Sequence, residues 1–262
     1  MSFETLLYET RDGVAYITLN REAAANAINL QMGRDLMLAA LRCDEDPGVR
    51  AVLIRAKGKI FCAGGDLGSF SSAGEGMPRL LKELTTYLHA AISRFARMRA
   101  PVVAAVHGSA AGAGFSLACA SDLLVCAESA RFTLAYTRVG LTPDGSSTYY
   151  LPRLIGTRRA LELMLTNRVL SSQEALAWGL VNRVVADDQL AQESESLARQ
   201  LATGPTLAFG GVKQLLLSSA NESLETQMEH EARAIADAAR SSDAREGIEA
   251  FFAKRRAKFN GV

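Results

Sequence analysis

Two glycine-bearing turns and one aspartate carry the chemistry this sequence can do. The first turn is Phe61-Cys62-Ala63-Gly64-Gly65-Asp66-Leu67; the second, about forty positions on, is Ala105-Val106-His107-Gly108-Ser109-Ala110-Ala111-Gly112-Ala113-Gly114. Each follows an apolar, β-rich run, residues 51–54 and 102–106. Turns of small residues let backbone N–H groups approach a ligand that side chains would push away. Two N–H groups converging on one oxygen make an oxyanion hole, in which each donor is worth roughly 10²–10³ in rate. The plain alternative is that Gly112 and Gly114 only allow tight strand-to-helix packing. A dinucleotide fingerprint is a weak reading, because Leu117 stands where its third glycine belongs.

Asp144 lies in Gly140-Leu141-Thr142-Pro143-Asp144-Gly145-Ser146-Ser147. It is a candidate carboxylate base, and aspartate between a proline and small residues is equally a favoured helix N-cap. Spacing alone leaves both readings open. Other chemistry is thinner. His107 ends a strand and reads as a structural hydrogen-bonding residue, while His89 and His230 fall in helical patterns and read as surface or packing residues. No His, Cys or carboxylate cluster has metal-ligand spacing, and no Gly-x-Ser-x-Gly elbow occurs. Tyr149 and Tyr150 fit a pocket wall or the core equally. The run Lys254-Arg255-Arg256-Ala257-Lys258 reads first as a solvated helix end whose cations suit the dipole.

The elements that must position these groups follow from composition and pattern. At 262 residues and 48% hydrophobic content the chain can bury one large core with an appended helical segment. Twenty-nine basic against 28 acidic residues leave a net charge of +1, so no global field draws it to nucleic acid or membrane. Small molecules or copies of itself are the expected partners. Cys43, Cys62, Cys119 and Cys126 lack CxxC spacing and imply free thiols in a reduced compartment. The start Met1-Ser2-Phe3-Glu4-Thr5 lacks the pattern of a secretion signal, and no apolar run approaches the ~18 residues that span a bilayer, so a cytoplasmic location is expected.

Alternation over residues 6–19 around Arg11-Asp12-Gly13 predicts a hairpin. Met32, Leu36, Ala39 and Cys43 recur at helical spacing, and a helix is predicted over about residues 78–98. The Ser/Gly-rich stretch 69–76 reads as a mobile loop. Strands are predicted at residues 51–55, 102–106, 123–126 and 132–134, with a short helix after the second glycine turn. This alternation predicts an α/β architecture with sites at strand ends. Beyond Val185 there is no strand signal; Leu190, Leu197 and Leu201 mark one helix, and Met228, Ala232, Ile235 and Ala239 another. Residues 1–200 therefore read as a core and 201–262 as a helical extension.

Taken in order, Asn20-Arg21, Asn26-Ala27-Ile28, the two glycine turns, Gly140-Leu141-Thr142-Pro143-Asp144-Gly145, Trp178-Gly179-Leu180-Val181 and Phe251-Phe252-Ala253-Lys254-Arg255 resemble the crotonase, or enoyl-CoA hydratase/isomerase, superfamily. The resemblance covers almost the whole chain. It implies a spiral of ββα units with a C-terminal helical extension that forms trimers or dimers of trimers. It also implies an acyl-CoA substrate, with coenzyme A as part of that substrate and no separate cofactor. By resemblance the N–H groups of Ala63 and Ala113 hold the thioester oxygen. Ala25, Gly64, Gly65, Asp66, Gly112 and Tyr136 bind the substrate, and Lys254 reaches the adenine nucleotide from its own or a neighbouring subunit. Family hydratases carry two glutamates at positions held here by Ser116 and Tyr136. A serine without an adjacent histidine is a poor base, and an unperturbed tyrosine, with a pKa of about 10, stays protonated at neutral pH. The family's isomerases, those of ring-epoxide and phenylacetate chemistry among them, place a catalytic aspartate at the position of Asp144. The resemblance thus implies an isomerase with Asp144 as its one base; the alternatives are an enoyl-CoA hydratase or a silent acyl-CoA-binding scaffold.

Overall fold

The computed structural model describes residues 3–262; Met1 and Ser2, part of the expectation about the N-terminus, lie outside them. A hairpin opens the chain: β1 (Leu6–Arg11) pairs antiparallel with β2 (Val14–Leu19). Asp12 and Gly13 between them both have positive φ (52° and 75°), the two-residue turn whose twist matches its strands. Helix α1 (Leu30–Glu45), capped by the Asn29 side chain on Met32 N–H, leads to β3 (Ala51–Ala56). Then come α2 (Leu67–Ser72), the long α3 (Met77–Arg97) and β4 (Val102–Val106).

Beyond β4 the chain repeats a strand–strand–helix step. The first repeat is β4, β5 (Ser109–Ala111) and α4 (Ala113–Cys119). The second is β6 (Leu123–Ala127), β7 (Arg131–Thr133) and α5 (Ser147–Ile155), followed by α6 (Thr157–Thr166). In each repeat one strand joins a large sheet and the next a small one. After β8 (Leu170–Ser171), α7 (Ser172–Ala177) and β9 (Arg183–Val185), the large sheet has the order β1-β2-β3-β4-β6-β9, all parallel past β2, and the small sheet β5-β7-β8. No strand follows β9 among the described residues; α8 (Leu190–Ala202), α9 (Thr206–Ser219), α10 (Leu224–Ala239) and α11 (Ser242–Phe252) complete the chain.

Both faces of the large sheet are covered, which is why its strands read as unbroken apolar runs. Ile17, Val52, Ala104 and Leu124 point into the larger core with α1 and α3. Val14, Leu53, Val103 and Val125 point the other way, against Leu197, Ala198 and Ala202 of α8. Each such side chain contributes about 1.5–3 kcal/mol by leaving water. Without α8 that whole face would be bare, so the core expected to end near residue 200 is completed by a helix running to Ala202. The remaining helices are tied back by Arg50, which donates to Gly204 O (2.6 Å) and Phe259 O (2.9 Å).

One expected loop is folded. Residues 69–76 form most of α2 and a 3-10 turn, Gly74–Gly76, because the Asp66 side chain caps the Ser69 N–H at 3.0 Å. Composition favoured a loop; a single well-placed cap outweighs it.

A buried ion pair joins α9 to the site-bearing half. Lys213 Nζ donates to Asp122 Oδ2 (2.7 Å), Phe95 O (2.8 Å) and Ala100 O (3.0 Å), binding α9 to the end of α3 and the start of β4. Burial pushes the Asp122 carboxyl up and the Lys213 ammonium down, and their mutual attraction opposes both shifts. Removing one partner strands a buried charge at a cost of about 3–5 kcal/mol. Lys213→Met is therefore expected to lower unfolding free energy by about that amount in a urea titration, with partial recovery in Lys213→Met/Asp122→Asn. Wild-type stability in the single variant would contradict this role.

Candidate active site

The two glycine turns lie against each other because β3 and β4 are parallel neighbours that end on the same side of the sheet. Phe61 N–H donates to His107 O, Cys62 N–H to Ser109 O, and Ala111 N–H to Cys62 O, at 2.9–3.1 Å. Contact follows at the tips. Gly64 has φ +100°, and a Cβ placed there would stand 3.0 Å from Ala111 O. The Cys62 thiol, buried between the turns, donates to Asn26 O (3.1 Å) and accepts from Gly64 N–H (3.4 Å).

These pairings decide which N–H groups are left for a ligand. Ala63, the expected donor, is not among them: its N–H donates to Ala25 O at 3.0 Å, so the Asn20–Ile28 segment consumes it. Ala25, expected against the substrate, serves through that carbonyl and does not line the cleft described below. Asp66 N–H donates to Ile28 O, and Gly112 N–H to Thr133 O. Gly65 N–H, between these, makes no hydrogen bond among the described residues. Ala113 opens α4, so its N–H has no acceptor within the helix. Gly65 and Ala113 are thus unclaimed donors, one at the tip of each paired turn.

Asp66, also expected at the substrate, spends both oxygens on structure: Oδ1 on the Ser69 N–H and Oδ2 on Arg21 (2.9 Å). Burial alone would raise its carboxyl, but those two partners hold it below the ordinary carboxylate value. Arg21 also donates to Ala27 O. The first turn is in this way clamped to the segment that takes up Ala63.

Asp144 is not an N-cap. Gly145 and Ser146 both have positive φ (61° and 68°), and α5 starts only at Ser147. Its backbone carbonyl receives the Ser147 hydroxyl (3.0 Å) and the Tyr136 hydroxyl (3.2 Å). The side chain is left free of the helix. Asp144 Oδ1 lies 2.6 Å from Nε2 of His89, on α3, and Oδ2 has no partner among the described residues. His89, read from sequence as a surface or packing residue, is thus the neighbour of the candidate base. Its signal was present: Lys82, Thr85 and His89 fall at i, i+3 and i+7, one face of α3.

Ser116 and Tyr136 bond to each other, with hydroxyl oxygens 3.1 Å apart. Burial pushes the Tyr136 hydroxyl well above its ordinary value, so it donates rather than accepts protons.

Gly65, Ala113, Tyr136 and Asp144 all line one cleft of about 450 Å³, together with Gly64 and Gly112. Its remaining wall is largely apolar, with Phe70, Leu84, Leu88 and Leu134, and two cations, Lys82 and Arg138, stand on it. Sequence reading missed both. Lys254 does not line the cleft; it sits just beyond α11, exposed, with φ +53°. Tyr149 and Tyr150 line a different cavity. His107 makes the structural bond expected of it, to Gly58 O at 2.9 Å. All four cysteines are free and buried. No helix among the described residues is long and apolar enough to cross a membrane.

The Tyr136 environment has a direct readout. Because its phenol is held protonated beyond the ordinary value of about 10, ultraviolet titrations of the protein and of Tyr136→Phe are expected to coincide up to that pH. A tyrosine ionisation below it that vanishes in the variant would contradict the assignment.

A family model described as enoyl-CoA hydratase/isomerase matches residues 9–262. The 1,2-epoxyphenylacetyl-CoA isomerase of Escherichia coli K12 is 38% identical over 259 residues, 98% of this chain and 99% of that one. A 4-chlorobenzoyl coenzyme A dehalogenase of Arthrobacter sp. is 39% identical over 226 residues, 85% of this chain and 81% of that one. Among solved structures, the enoyl-CoA hydratase of Bacillus anthracis superposes with a TM-score of 0.93 at 30% identity, covering 99% of this chain and 100% of that one.

Proposed function

The chain belongs to the enoyl-CoA hydratase/isomerase family, and from that membership we propose that it is an acyl-CoA isomerase that shifts a double bond, or opens a ring epoxide, through a thioester enolate. One observation carries this reading: the cleft presents an unclaimed N–H group from each turn, those of Gly65 and Ala113, and a single carboxylate, Asp144. The thioester oxygen sits between the two donors. Asp144 Oδ2 takes a proton from carbon, the electron pair moves onto that oxygen as an enolate, and the N–H groups stabilise the charge. Asp144 then returns the proton at the far end of the enolate. Proton shuttling by one positioned group needs proximity and partial desolvation, not a second acid. The apolar wall of the cleft supplies the latter.

Hydration calls for one group to activate water and another to deliver a proton. The positions at which the resemblance places glutamates in hydratases hold Ser116 and Tyr136, whose hydroxyls bond to each other, that of Tyr136 donating also to the Asp144 carbonyl. They position the loop; they do not move protons. The epoxide isomerase relative supports isomerisation further, and with it a place in the catabolism of phenylacetate-like thioesters.

Coenzyme A enters as part of the substrate. Lys82 and Arg138 are the cations on the cleft wall suited to its phosphates, and Lys254, which does not line this cleft, is assigned to the adenine nucleotide at a neighbouring subunit's cleft. The helical extension supports such an assembly: Leu216, Ile235, Phe251 and Phe252 are 69–79% exposed on α9 to α11. Apolar groups in such density call for a cover, and a homotrimer or dimer of trimers in the cytoplasm completes the reading.

A second reading has its own support. His89 beside Asp144 would let the carboxylate attack an aromatic carbon of a halogenated aroyl-CoA, expel halide, and then be freed by water that His89 deprotonates. The dehalogenase relatives favour keeping it in view.

The purified protein is expected to convert a 3-enoyl-CoA to its 2-enoyl isomer, with little 3-hydroxyacyl-CoA formed from crotonyl-CoA and no halide from 4-chlorobenzoyl-CoA. Asp144→Asn should lower isomerisation by roughly 10²–10⁴-fold with acyl-CoA affinity unchanged. Wild-type turnover in that variant would remove Asp144 as the base. A protein that only hydrates, only releases halide, or binds without turnover would replace the isomerase reading by the hydratase, the dehalogenase or the scaffold.

A further inference from the structure

Asp144 stands in a wall between two cavities. One is the cleft that holds the unclaimed N–H groups; the other, of about 580 Å³, lies on the far side, between α3, the start of α5 and the end of α9. Only Pro143 and Asp144 line both. His89 lines the second alone, beside Ser93, Arg97, Ser146, Thr148 and Asn221. These polar side chains suit a cavity that water fills, since a buried water needs two to four polar partners. The two oxygens of Asp144 divide in the same way: Oδ1 is 2.6 Å from His89 Nε2, and Oδ2 is unclaimed. The His89 side chain is 54% exposed.

Resting on the isomerase reading, we propose that His89 and this second cavity form a proton port, through which the proton held by Asp144 exchanges with solvent while the enolate exists. Once Asp144 Oδ2 has taken a proton from carbon the side chain is a neutral acid, and a half-turn of the carboxyl group about Cβ–Cγ brings that O–H to Nε2 of neutral His89. The proton passes to Nε2, forming imidazolium, and a swing of the exposed ring into the second cavity lets the imidazolium release that Nε2 proton to water. On the return path water protonates Nε2, the ring swings back, Nε2 gives this solvent proton to Asp144, and Asp144 turns its O–H to the cleft and protonates the far carbon of the enolate. No atom is lost or gained overall; a carbon-bound hydrogen is replaced by one from solvent. An exposed imidazole interconverts its tautomers through water, so Nε2 serves as donor to the carboxylate and acceptor from the acid. His89 acts through Asp144 and is a relay residue rather than one that meets the substrate.

The port is tested by isomerising a 3-enoyl-CoA in deuterium oxide and weighing the product by mass spectrometry. Wild type is expected to place one solvent deuterium in most product molecules. His89→Gln keeps a hydrogen-bonding group beside Asp144 but cannot accept and release a proton, so deuterium content should fall several-fold and the original proton should reappear at the new carbon. A merely structural His89 would change kcat without moving this ratio. Isomerisation by wild type without deuterium, or equal deuterium in His89→Gln, would overturn the port alone. Absence of any isomerisation by wild type would overturn the isomerase reading, and the port with it.

Discussion

The site depends on one constraint: two backbone turns touch with nothing between them. Ala111 O faces Gly64 so closely that a side chain at Gly64 would stand 3.0 Å from it. That contact needs β3 and β4 side by side and parallel, the Cys62 thiol buried between the turns, and the Asn20–Ile28 segment folded over the first of them. Because backbone bonds use up the N–H groups of Ala63, Asp66 and Gly112, what remains is set by subtraction. Donors fixed in this way need no reorganisation as charge develops, the property that makes backbone N–H pairs effective at stabilising oxyanions.

The candidate base is held by a different kind of structure. Two consecutive left-handed residues, Gly145 and Ser146, delay α5 and release the Asp144 carboxylate from capping duty, while its carbonyl takes over the first hydroxyl of the helix. Ser116 and Tyr136 brace that carbonyl from below, and His89 holds the carboxylate from α3. Neutral bracing beneath and one titratable neighbour beside it leave a single carboxylate facing the cleft. In the reading proposed above, protons there move between carbon and Asp144, with His89 as the one exit to solvent. The ion pair of Lys213 with Asp122 bears on this arrangement at a distance, since it fixes the end of the helix that carries His89.

Much of this was legible in the sequence, and the limits are physical. Turns and regular elements are local, so the hairpin at Asp12-Gly13, the β-rich runs and the two glycine turns could be read from composition and period. Asp144 could be singled out, but whether it caps a helix depended on two backbone torsions that spacing does not reveal. Ala63 was the wrong donor for a non-local reason: which of several consecutive N–H groups stays free is decided by Ala25, some forty residues earlier in the chain. His89 is 55 residues from its partner, and its helical register announces a face without saying what that face meets. The stretch 69–76 failed the other way, where one capping aspartate overrode a loop-like composition. Met228 and Ile235 marked a helix in the sequence, and both stand exposed on α10.

The most direct measurement is the infrared carbonyl stretch of a bound, non-reacting acyl-CoA carrying carbon-13 at the thioester. Ala113→Pro is suited as its partner, because proline is tolerated at the first position of a helix and removes only the N–H. Wild type is expected to lower the stretch relative to the free thioester, and the variant to return it most of the way while still binding. A bound frequency equal to that of the free thioester, or one that Ala113→Pro leaves unchanged, would contradict the claim that the paired turns hold the oxygen.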